Sequence, residues 1–577
     1  MTRLLVIAAP GLDLPGLDRG RRTGALPALS GLRARGAAGA LSGAPLSAGP
    51  AALATMATGL QPEAHGVWRD QEEWPGGLRP TGRASWRRAP VWATLEAAGV
   101  STGSVAWPAL APGADWAGVH IDDRFCEMTG KTAADWALPR RCAPDDLREA
   151  LRARRTHISQ IPDHALAPFV PGVDAAALAG DDALATLAMG MARAATVQAA
   201  ATWMLTEARP EAVFVCHPWL GQIREAFATR PGPAFAGVAP AAWRFLDALV
   251  GALAGAAGAD ALVMVVSPEW RGGAGVVLAA GPGVTAEAEP HGGALIDLAP
   301  TVLARFGLAD RDLPGRALLP NDGALAPVSA PTMPPPPAAQ AADVETLRAL
   351  GYPPPPPAEP AWRAQGLADL GLILLDRDPA AAATAADAAL TLRPGLALAL
   401  QVKARACVAL GQAEPLPGLG DALLAVEPNR AWGALAHAAG HAIRGERALA
   451  VPWLTRAEAD DHIPCLLTTA TLWLGLGRSA GAERVFARVL NLEPENVPAA
   501  IGIAMAEIGR RDFLNAERRL TEALKRDPGR PAICLQLAQC YARSGRKLEA
   551  GRAADMALRL GVHPALASAA RVGRLKA

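Results

Sequence analysis

PLSAGPAALATMATGLQPEAHGVW, residues 45–68, is the stretch that decides the fold of this chain. Its middle is small and apolar, Thr58-Gly59 interrupts the run, and Pro62 and His65 follow at a turn-like spacing. The pattern predicts a loop, a short helix and a second loop. Such a segment is common by itself, so its neighbours along the chain decide its interpretation.

Two segments precede it. Arg3–Ile7, RLLVI, is a short apolar run typical of a buried first strand. Leu26–Gly39, LPALSGLRARGAAG, predicts a helix that ends in glycine. Together they predict a strand, a helix and a glycine turn before the deciding stretch.

Downstream, apolar runs of strand length alternate with helical patterns. The predicted strands are 212–216 (AVFVC), 261–267 (ALVMVVS) and 275–280 (GVVLAA), and the predicted helices include 88–99 and 243–253. Asp297 precedes a further helix with Pro300 in its first turn, where the missing N–H of proline is harmless. This alternation predicts an α/β domain with a mostly parallel sheet and helices on both faces.

In this order, the motifs P-x-S, A-T-G and P-E-x-H-G resemble the start of the alkaline phosphatase superfamily. The most similar branch is the type I phosphodiesterase/nucleotide pyrophosphatase-like proteins. Two later segments, AWPALAPGADWAGVHIDDRF at 106–125 and GVVLAAGPGV with LIDLAPTVLARFG between 275 and 307, resemble the same family. The resemblance runs from Met1 to about Leu319 and implies an alkaline-phosphatase-like fold for a domain at residues 1–323.

The resemblance also implies a catalytic site. Family members hold two divalent cations, usually zinc, through Asp and His side chains at the strand ends. A Ser or Thr nucleophile lies at a helix N-terminus, whose unpaired N–H groups suit an anionic phosphoryl group.

Most of the matching ligand positions lack a donor side chain. Pro10 stands where the first Asp is expected, and Gly221 and Glu225 stand in place of an Asp and the His four residues later. Pro268 and Glu269 replace the Asp and His of the family's S-D-H-G motif. Only Glu225 and Glu269 keep a carboxylate, so no metal site is assigned and no cofactor is expected.

The nucleophile position is similarly altered. Family spacing places it about ten residues before Gly59, at Gly49, which has no side chain. Ser47 is the candidate nucleophile if the loop holds a two-residue insertion, and a helix-capping serine is the alternative interpretation. His65 matches a family histidine that orders the loop, and it supports the fold only.

The second half of the chain has a different pattern. Residues 324–360 contain two proline runs and are predicted to be a semi-rigid, Pro-rich linker. In 361–577, Ala482, Ala516 and Ala550 recur at intervals of 34 residues. This period is that of tetratricopeptide (TPR) repeats. It predicts an all-α solenoid of five or six repeats whose concave face binds a protein or peptide, or repeats that only cap or dimerise the first domain.

Composition narrows the partners and the compartment. The net charge is +1, which gives no bulk electrostatic reason to expect nucleic acid. No membrane span or signal sequence is predicted, and the seven cysteines form no C-x-x-C pair. We therefore expect a cytoplasmic protein without a disulfide framework or a zinc ribbon.

Two functions remain open at this stage. The first is a catalytically degenerate phosphodiesterase-like domain, a pseudoenzyme, that acts as a binding or scaffold protein through its TPR repeats. The alternative is an active metal-dependent phosphodiesterase or phosphatase with a rearranged site around Ser47, Glu225 and Glu269, which would use zinc or another divalent metal. A transferase of the same fold needs similar metal ligands and is excluded if the second function is excluded.

Overall fold

The computed structural model describes residues 2–42, 49–68, 71–74, 77–82, 85–108, 116–126, 142–144, 147–171, 182–228, 235–268, 275–286, 293–319, 323–333, 360–375, 379–494, 496–526, 530–559 and 564–573. The chain divides into two compact units. The first comprises Met1–Glu72 and Arg79–Pro354, and the second comprises Pro355–Ala577 with Glu73–Leu78.

The strands are β1 (Leu4–Ala8), β2 (Ala37–Ser42), β3 (Gln71–Trp74), β4 (Gly77–Pro80), β5 (Thr102–Trp107), β6 (Val119–Asp122), β7 (Cys142–Ala143), β8 (Ala212–Cys216), β9 (Leu262–Ser267), β10 (Gly275–Ala280), β11 (Gly293–Ala294), β12 (Leu308–Asp310) and β13 (Ala326–Val328). In the described part of the chain, nine of them form one sheet in the order β11-β2-β10-β9-β1-β8-β5-β6-β7. The five central strands, β9, β1, β8, β5 and β6, are parallel, and β10 is antiparallel to both of its neighbours.

Strand β1 lies at the centre of this sheet because both of its faces are apolar. Leu5 and Ile7 pack in the core on one face, and Leu4, Val6 and Ala8 pack in the core on the other. All five side chains are fully buried. A continuous apolar run of this kind is typical of a parallel strand that is covered on both faces.

The helices of the first unit are α1 (Leu14–Thr23), α2 (Pro27–Ala34), α3 (Pro50–Thr58), α4 (Pro62–His65), α5 (Val91–Ala97), α6 (Leu147–Arg152), α7 (Asp163–Leu166), α8 (Asp182–Trp203), α9 (Trp219–Phe227), α10 (Val238–Ala257) and α11 (Leu298–Arg305). Apolar side chains of α1, α2, α8, α9 and α10 cover one face of the sheet, and those of α3, α5 and α11 cover the other. The predicted mostly parallel α/β sheet with helices on both faces is confirmed.

The helix predicted at Leu26–Gly39 is wrong in its second half. Helix α2 ends at Ala34, and the following residues form β2, which is antiparallel to β10. Gly36 lies so close to β10 that an added Cβ would be 2.1 Å from the carbonyl oxygen of Ala279. Alanine favours helices by itself, so tertiary pairing with β10 overrides the local helix preference of this segment.

A distant side chain caps the N-terminus of α2. The carboxylate of Asp247, on α10, accepts hydrogen bonds from the N–H groups of Ala28 (3.1 Å) and Leu29 (2.8 Å). These two donors have no partner within the helix itself. Burial raises the pKa of Asp247 despite these two bonds.

A buried polar network joins α5 to β5 and β6. Glu96 Oε1 lies 2.8 Å from His120 Nε2, and His120 Nδ1 lies 2.8 Å from Ser104 Oγ. Thr102 Oγ1 and the N–H of Ala117 also donate to the Glu96 carboxylate. Ser104 and His120 are buried, so the network cross-links α5, β5 and β6.

One helix in the described residues, α10, is long and apolar enough to cross a membrane by length and composition. Of its most apolar window, 44% is buried inside the first unit. Leu246, Val250 and Leu253 of this helix pack in the core beside β1, as expected for the core helix of a globular domain.

The part of the second unit from residue 360 onward is all helical in the residues described. Its helices are α12 (Pro360–Leu374), α13 (Pro379–Leu392), α14 (Ala397–Ala409), α15 (Leu416–Val426), α16 (Trp432–Ile443), α17 (Arg447–Ala457), α18 (Ile463–Gly475), α19 (Ser479–Leu492), α20 (Val497–Gly509), α21 (Phe513–Arg526), α22 (Pro531–Arg543), α23 (Lys547–Arg559) and α24 (Pro564–Arg571). Helices that follow one another along the chain pack against each other. The predicted all-α TPR solenoid is confirmed as a fold class.

The repeating alanines explain how these pairs pack. Ala482, Ala516 and Ala550 lie in α19, α21 and α23, and all three are fully buried. A small side chain at this position lets the second helix of a pair approach its neighbours closely. The domain boundaries predicted at 323 and 361 stay predictions, since most of the expected linker, residues 334–359, lies outside the described part of the chain.

Candidate functional site

A cleft of about 550 Å³ opens in the first unit at the carboxyl ends of β1 and β8. Gly49 and Pro50 at the start of α3 line it, together with residues of α8, α9 and the turn after β6. In open α/β sheets, ligands bind at the carboxyl ends of the strands. This cleft is therefore the candidate functional site.

The chain after β1 closes directly against α9. Pro10 lines the cleft, and its carbonyl oxygen accepts a hydrogen bond of 2.9 Å from the N–H of Gly221. Gly11 has a φ of +98°, and an added Cβ would lie 2.5 Å from the nitrogen of Gly221. Arg224 strengthens the closure because it donates to the carbonyl of Gly11 and to Asp13 Oδ2 at 2.6 Å.

Asp13 has a structural place in this closure. Its Oδ1 accepts a hydrogen bond of 2.6 Å from the N–H of Gly16 and so caps α1. Both carboxylate oxygens of Asp13 are thus engaged, one by the helix and one by Arg224.

Helix α3 points its N-terminus at the cleft. Gly49 is its N-cap in extended conformation, and the Gly49 carbonyl accepts from Ala52 and Leu53. At the other end, His65 is fully buried, with Nε2 3.1 Å from Thr55 Oγ1. Burial lowers the pKa of His65 to about 3, so its neutral ring holds α3 against the following turn. Ser47, the candidate nucleophile, lies outside the described residues.

The inner wall of the cleft carries Asp123, Arg193 and His217. Burial, followed by the charge and hydrogen bond of Asp122, raises the pKa of Asp123 well above its ordinary value, and Arg193 opposes this only in part. His217 is fully buried, and neither of its ring nitrogens has a hydrogen-bond partner within the described residues. Burial lowers the pKa of His217 to about 4, so its imidazole is neutral at pH 7.

Three of the predicted metal positions, Pro10, Gly221 and Glu225, line this cleft together. Glu225 lies exposed at the edge of the cleft, Pro268 is buried after β9, and Glu269 lies outside the described residues. Where side chains are described, no group of three or more His, Cys, Asp or Glu residues is arranged to hold a metal ion. Gly221 contributes its backbone N–H to the closure with Pro10 rather than a side chain.

The sequence model of the type I phosphodiesterase/nucleotide pyrophosphatase family matches residues 4–268, which include every strand that borders the cleft. A tetratricopeptide repeat model matches residues 507–571. The chain carries a phosphodiesterase-like domain followed by TPR repeats. This order is the one predicted from the sequence motifs.

Three similar solved structures each match less than half of this chain. A tetratricopeptide repeat protein from Parabacteroides merdae is 14% identical, with a TM-score of 0.30, over 40% of this chain and 89% of that one. PilF of Pseudomonas aeruginosa is 16% identical, with a TM-score of 0.27, over 35% and 93%. The human IFIT1 dimer with PPP-AAAA is 15% identical, with a TM-score of 0.31, over 37% of this chain and only 53% of its own. No curated protein matches the sequence.

Sequence reasoning missed part of the inner wall of the phosphodiesterase-like domain. Asp123 lies in the family-like segment IDDRF, but only its contribution to the fold was recognised. His217 directly follows β8 and does not stand at a position that matches a family ligand. Arg193 lies in the middle of the long helix α8 and gave no signal, because nothing in a helical pattern tells which arginine faces a cleft.

The TPR unit has a smaller groove of its own. It measures about 280 Å³ and lies among α19, α20 and α21. Arg518 and Arg526 are exposed beside it, while Val497 and Ala500 line it with apolar surface. Glu522 also lines the groove and pairs with Arg526.

Proposed function

We propose that the phosphodiesterase-like domain does not hydrolyse phosphoesters through two metal ions, and that the chain acts as a binding protein through its TPR repeats. One observation carries the proposal that the domain lacks two-metal hydrolysis. At the end of β1, where the resemblance expects a metal-binding Asp, Pro10 is joined by its backbone to Gly221, the position expected to supply a second Asp.

The side chains present do not fit a two-cation centre. Divalent ions in proteins need about four to six ligand atoms, supplied by carboxylates, imidazoles or water. Of the matched positions described, Pro10, Gly221 and Pro268 offer no side-chain donor, and Glu225 is exposed at the edge of the cleft. The close approach of Gly11 to Gly221 further narrows the space between the turn after β1 and α9.

The repeats support the proposal that the chain acts as a binding protein. A stack of helix pairs presents an extended surface, and tetratricopeptide repeats are typical of protein–protein interaction. The apolar and arginine-lined groove at α19–α21 offers such a surface within the described residues. The partner we propose is a protein or peptide, in keeping with a chain of near-zero net charge.

The second candidate is an active metal-dependent phosphodiesterase with a rearranged site. It is favoured by the place of Glu225 at the edge of the cleft. In that case Ser47 is the nucleophile, and Glu225 and Glu269 contribute to binding zinc or another divalent ion.

Hydrolysis of bis(p-nitrophenyl) phosphate separates the two candidates. The full chain is assayed with zinc or manganese and its bound metal is measured. We expect less than one metal ion per chain and no turnover above that of buffer. Stoichiometric metal together with turnover that Ser47→Ala abolishes would establish the enzyme instead. Ser544→Ala, on the exposed end of α22, is the matched control and leaves any turnover unchanged.

The binding role needs a separate experiment. Full-length protein captures partners from a lysate, and hydrogen–deuterium exchange of the isolated complex locates the protected segments. Protection on helices of residues 360–571 supports the proposal. Protection confined to residues 2–333, or a complex made only of a second copy of this chain, contradicts it.

A further inference from the structure

Arg193 places a cation in the cleft without a partner among the described residues. It lies on α8, lines the cleft and is half-buried. The described part of the chain gives it neither a hydrogen bond nor an ion pair. A guanidinium withdrawn from water is costly unless an acceptor satisfies it.

Two carboxyl groups line the same cleft. Asp123 lies within electrostatic reach of Arg193, and burial and the neighbouring Asp122 raise the pKa of its carboxyl, but no ion pair joins Asp123 to Arg193 in the described residues. Glu225, the other carboxylate on the cleft, is exposed at its edge.

Other groups on the same walls also suit a negative ligand. Helix α3 presents its N-terminus to the cleft, and the N–H of Ala51 has no partner in the described chain. The positive end of the helix dipole favours an anion there. Independently, the fully buried imidazole of His217 lines the cleft with both nitrogens unpartnered, and a neutral ring can donate one hydrogen bond to a ligand.

We propose that this cleft binds the oxyanion of a small organic ligand, a phosphate or a carboxylate, without any divalent cation, and that Arg193 supplies the positive charge. The inference rests on the proposed loss of the two-metal centre. The planar guanidinium offers paired N–H donors that match either oxyanion. The N-terminus of α3 and His217 supply further hydrogen bonds, so the site is a receptor for an anion rather than a centre for its hydrolysis.

Calorimetric titration of the full chain in EDTA tests the proposal. Inorganic phosphate and acetate are the two probes, and their relative affinities decide between the two oxyanions. We expect one of them to bind equally well with and without EDTA. Arg193→Gln should weaken that binding about tenfold or more, because a charge-assisted pair of hydrogen bonds is lost. Arg193→Lys should recover part of it, since the charge returns without the planar geometry.

Arg244→Gln is the matched control. Arg244 is exposed on α10 and has neither a hydrogen bond nor an ion pair in the described chain. Its replacement should leave the affinity for the anion unchanged. Circular dichroism shows whether each variant is folded. Binding that requires added metal, equal weakening by both variants, or no binding of either probe overturns the proposal. Turnover of a phosphodiester would overturn the proposed function but would leave metal-free anion binding undecided. The failure of one proposal can therefore be told from the failure of the other.

Discussion

At the scale of single residues, the carboxylate of Glu96 shows how hydrogen bonds can outweigh burial. Burial alone would raise its pKa, yet the hydrogen bonds and charge of His120, with further bonds from Thr102 and Ala117, lower the pKa below its ordinary value of 4.5. The side chain is only 8% exposed, so solvent screens these interactions little.

Replacing this carboxylate should therefore weaken the fold in a pH-dependent way. We expect Glu96→Gln to lower the free energy of unfolding by about 2 kcal/mol at pH 7, measured by urea denaturation. The folded-state pKa is depressed, so the stabilisation is present above pH 4.5 and is lost as the pH falls through the lower folded value. The difference between the two proteins should shrink accordingly below pH 4.5.

Glu149→Gln provides the comparison. Glu149 pairs with Arg152 on an exposed surface, and removing such a pair costs roughly 0.5 kcal/mol or less. If Glu96→Gln were equally mild, or if its deficit were the same in acid as at neutral pH, the charge of Glu96 would not stabilise the fold.

At the scale of elements, the turn between β1 and α1 depends on one glycine. Gly11 combines a φ of +98° with backbone contact to Gly221. We expect Gly11→Ala to destabilise the first unit by about 3 kcal/mol or more, because strain in the left-handed region adds to a clash that no rotamer change can relieve.

A second glycine, Gly24, distinguishes the effect of backbone strain from the effect of the clash. It also has a positive φ, +69°, but an added Cβ would meet nothing within 4 Å. Gly24→Ala should therefore cost only about 1 kcal/mol, the strain alone. Thermal unfolding followed by circular dichroism measures both variants. If both variants lost the same stability, the turn would lie farther from α9 than it does in the structure.

At the scale of the whole molecule, the seven cysteines are all reduced and all buried, in both units. Burial raises the pKa of Cys126 to about 12 and that of Cys540 to about 11, so these thiols have little thiolate at neutral pH.

The folded chain should therefore resist thiol reagents. We expect fewer than about one reactive thiol per chain with a chromogenic disulfide at pH 8, and all seven in denaturant. Rapid labelling of two or more thiols in the native protein would contradict the burial. Mass spectrometry of partly labelled protein would then identify which unit opens first.

Prediction from sequence succeeded where one local pattern determines the structure. Strand β8 was predicted with its observed bounds, Ala212–Cys216, because a short run of large apolar residues allows few alternatives. The 34-residue period of the repeats was predicted from Ala482, Ala516 and Ala550. Alanine recurs there because larger side chains do not fit at the closest contact between two helices. These signals are contained in a few consecutive or evenly spaced residues.

Prediction from sequence failed where the structure depends on distant parts of the chain. Strand β2 exists because β10 pairs with it, and the cap of α2 comes from Asp247, 218 residues beyond Leu29. The position of Arg193 on the cleft depends likewise on how α8 packs against the sheet. The predicted loss of ligands at Pro10 and Gly221 concerned side chains only, and the backbone bond between them could not be foreseen.

That bond bears on how the chain can evolve. Only backbone atoms form it, so it would persist in a chain with another side chain at position 10. Position 11 has no such freedom, because any Cβ there meets the backbone of Gly221. The turn is therefore expected to keep its glycine while the residue beside it varies with the ligand that the cleft binds.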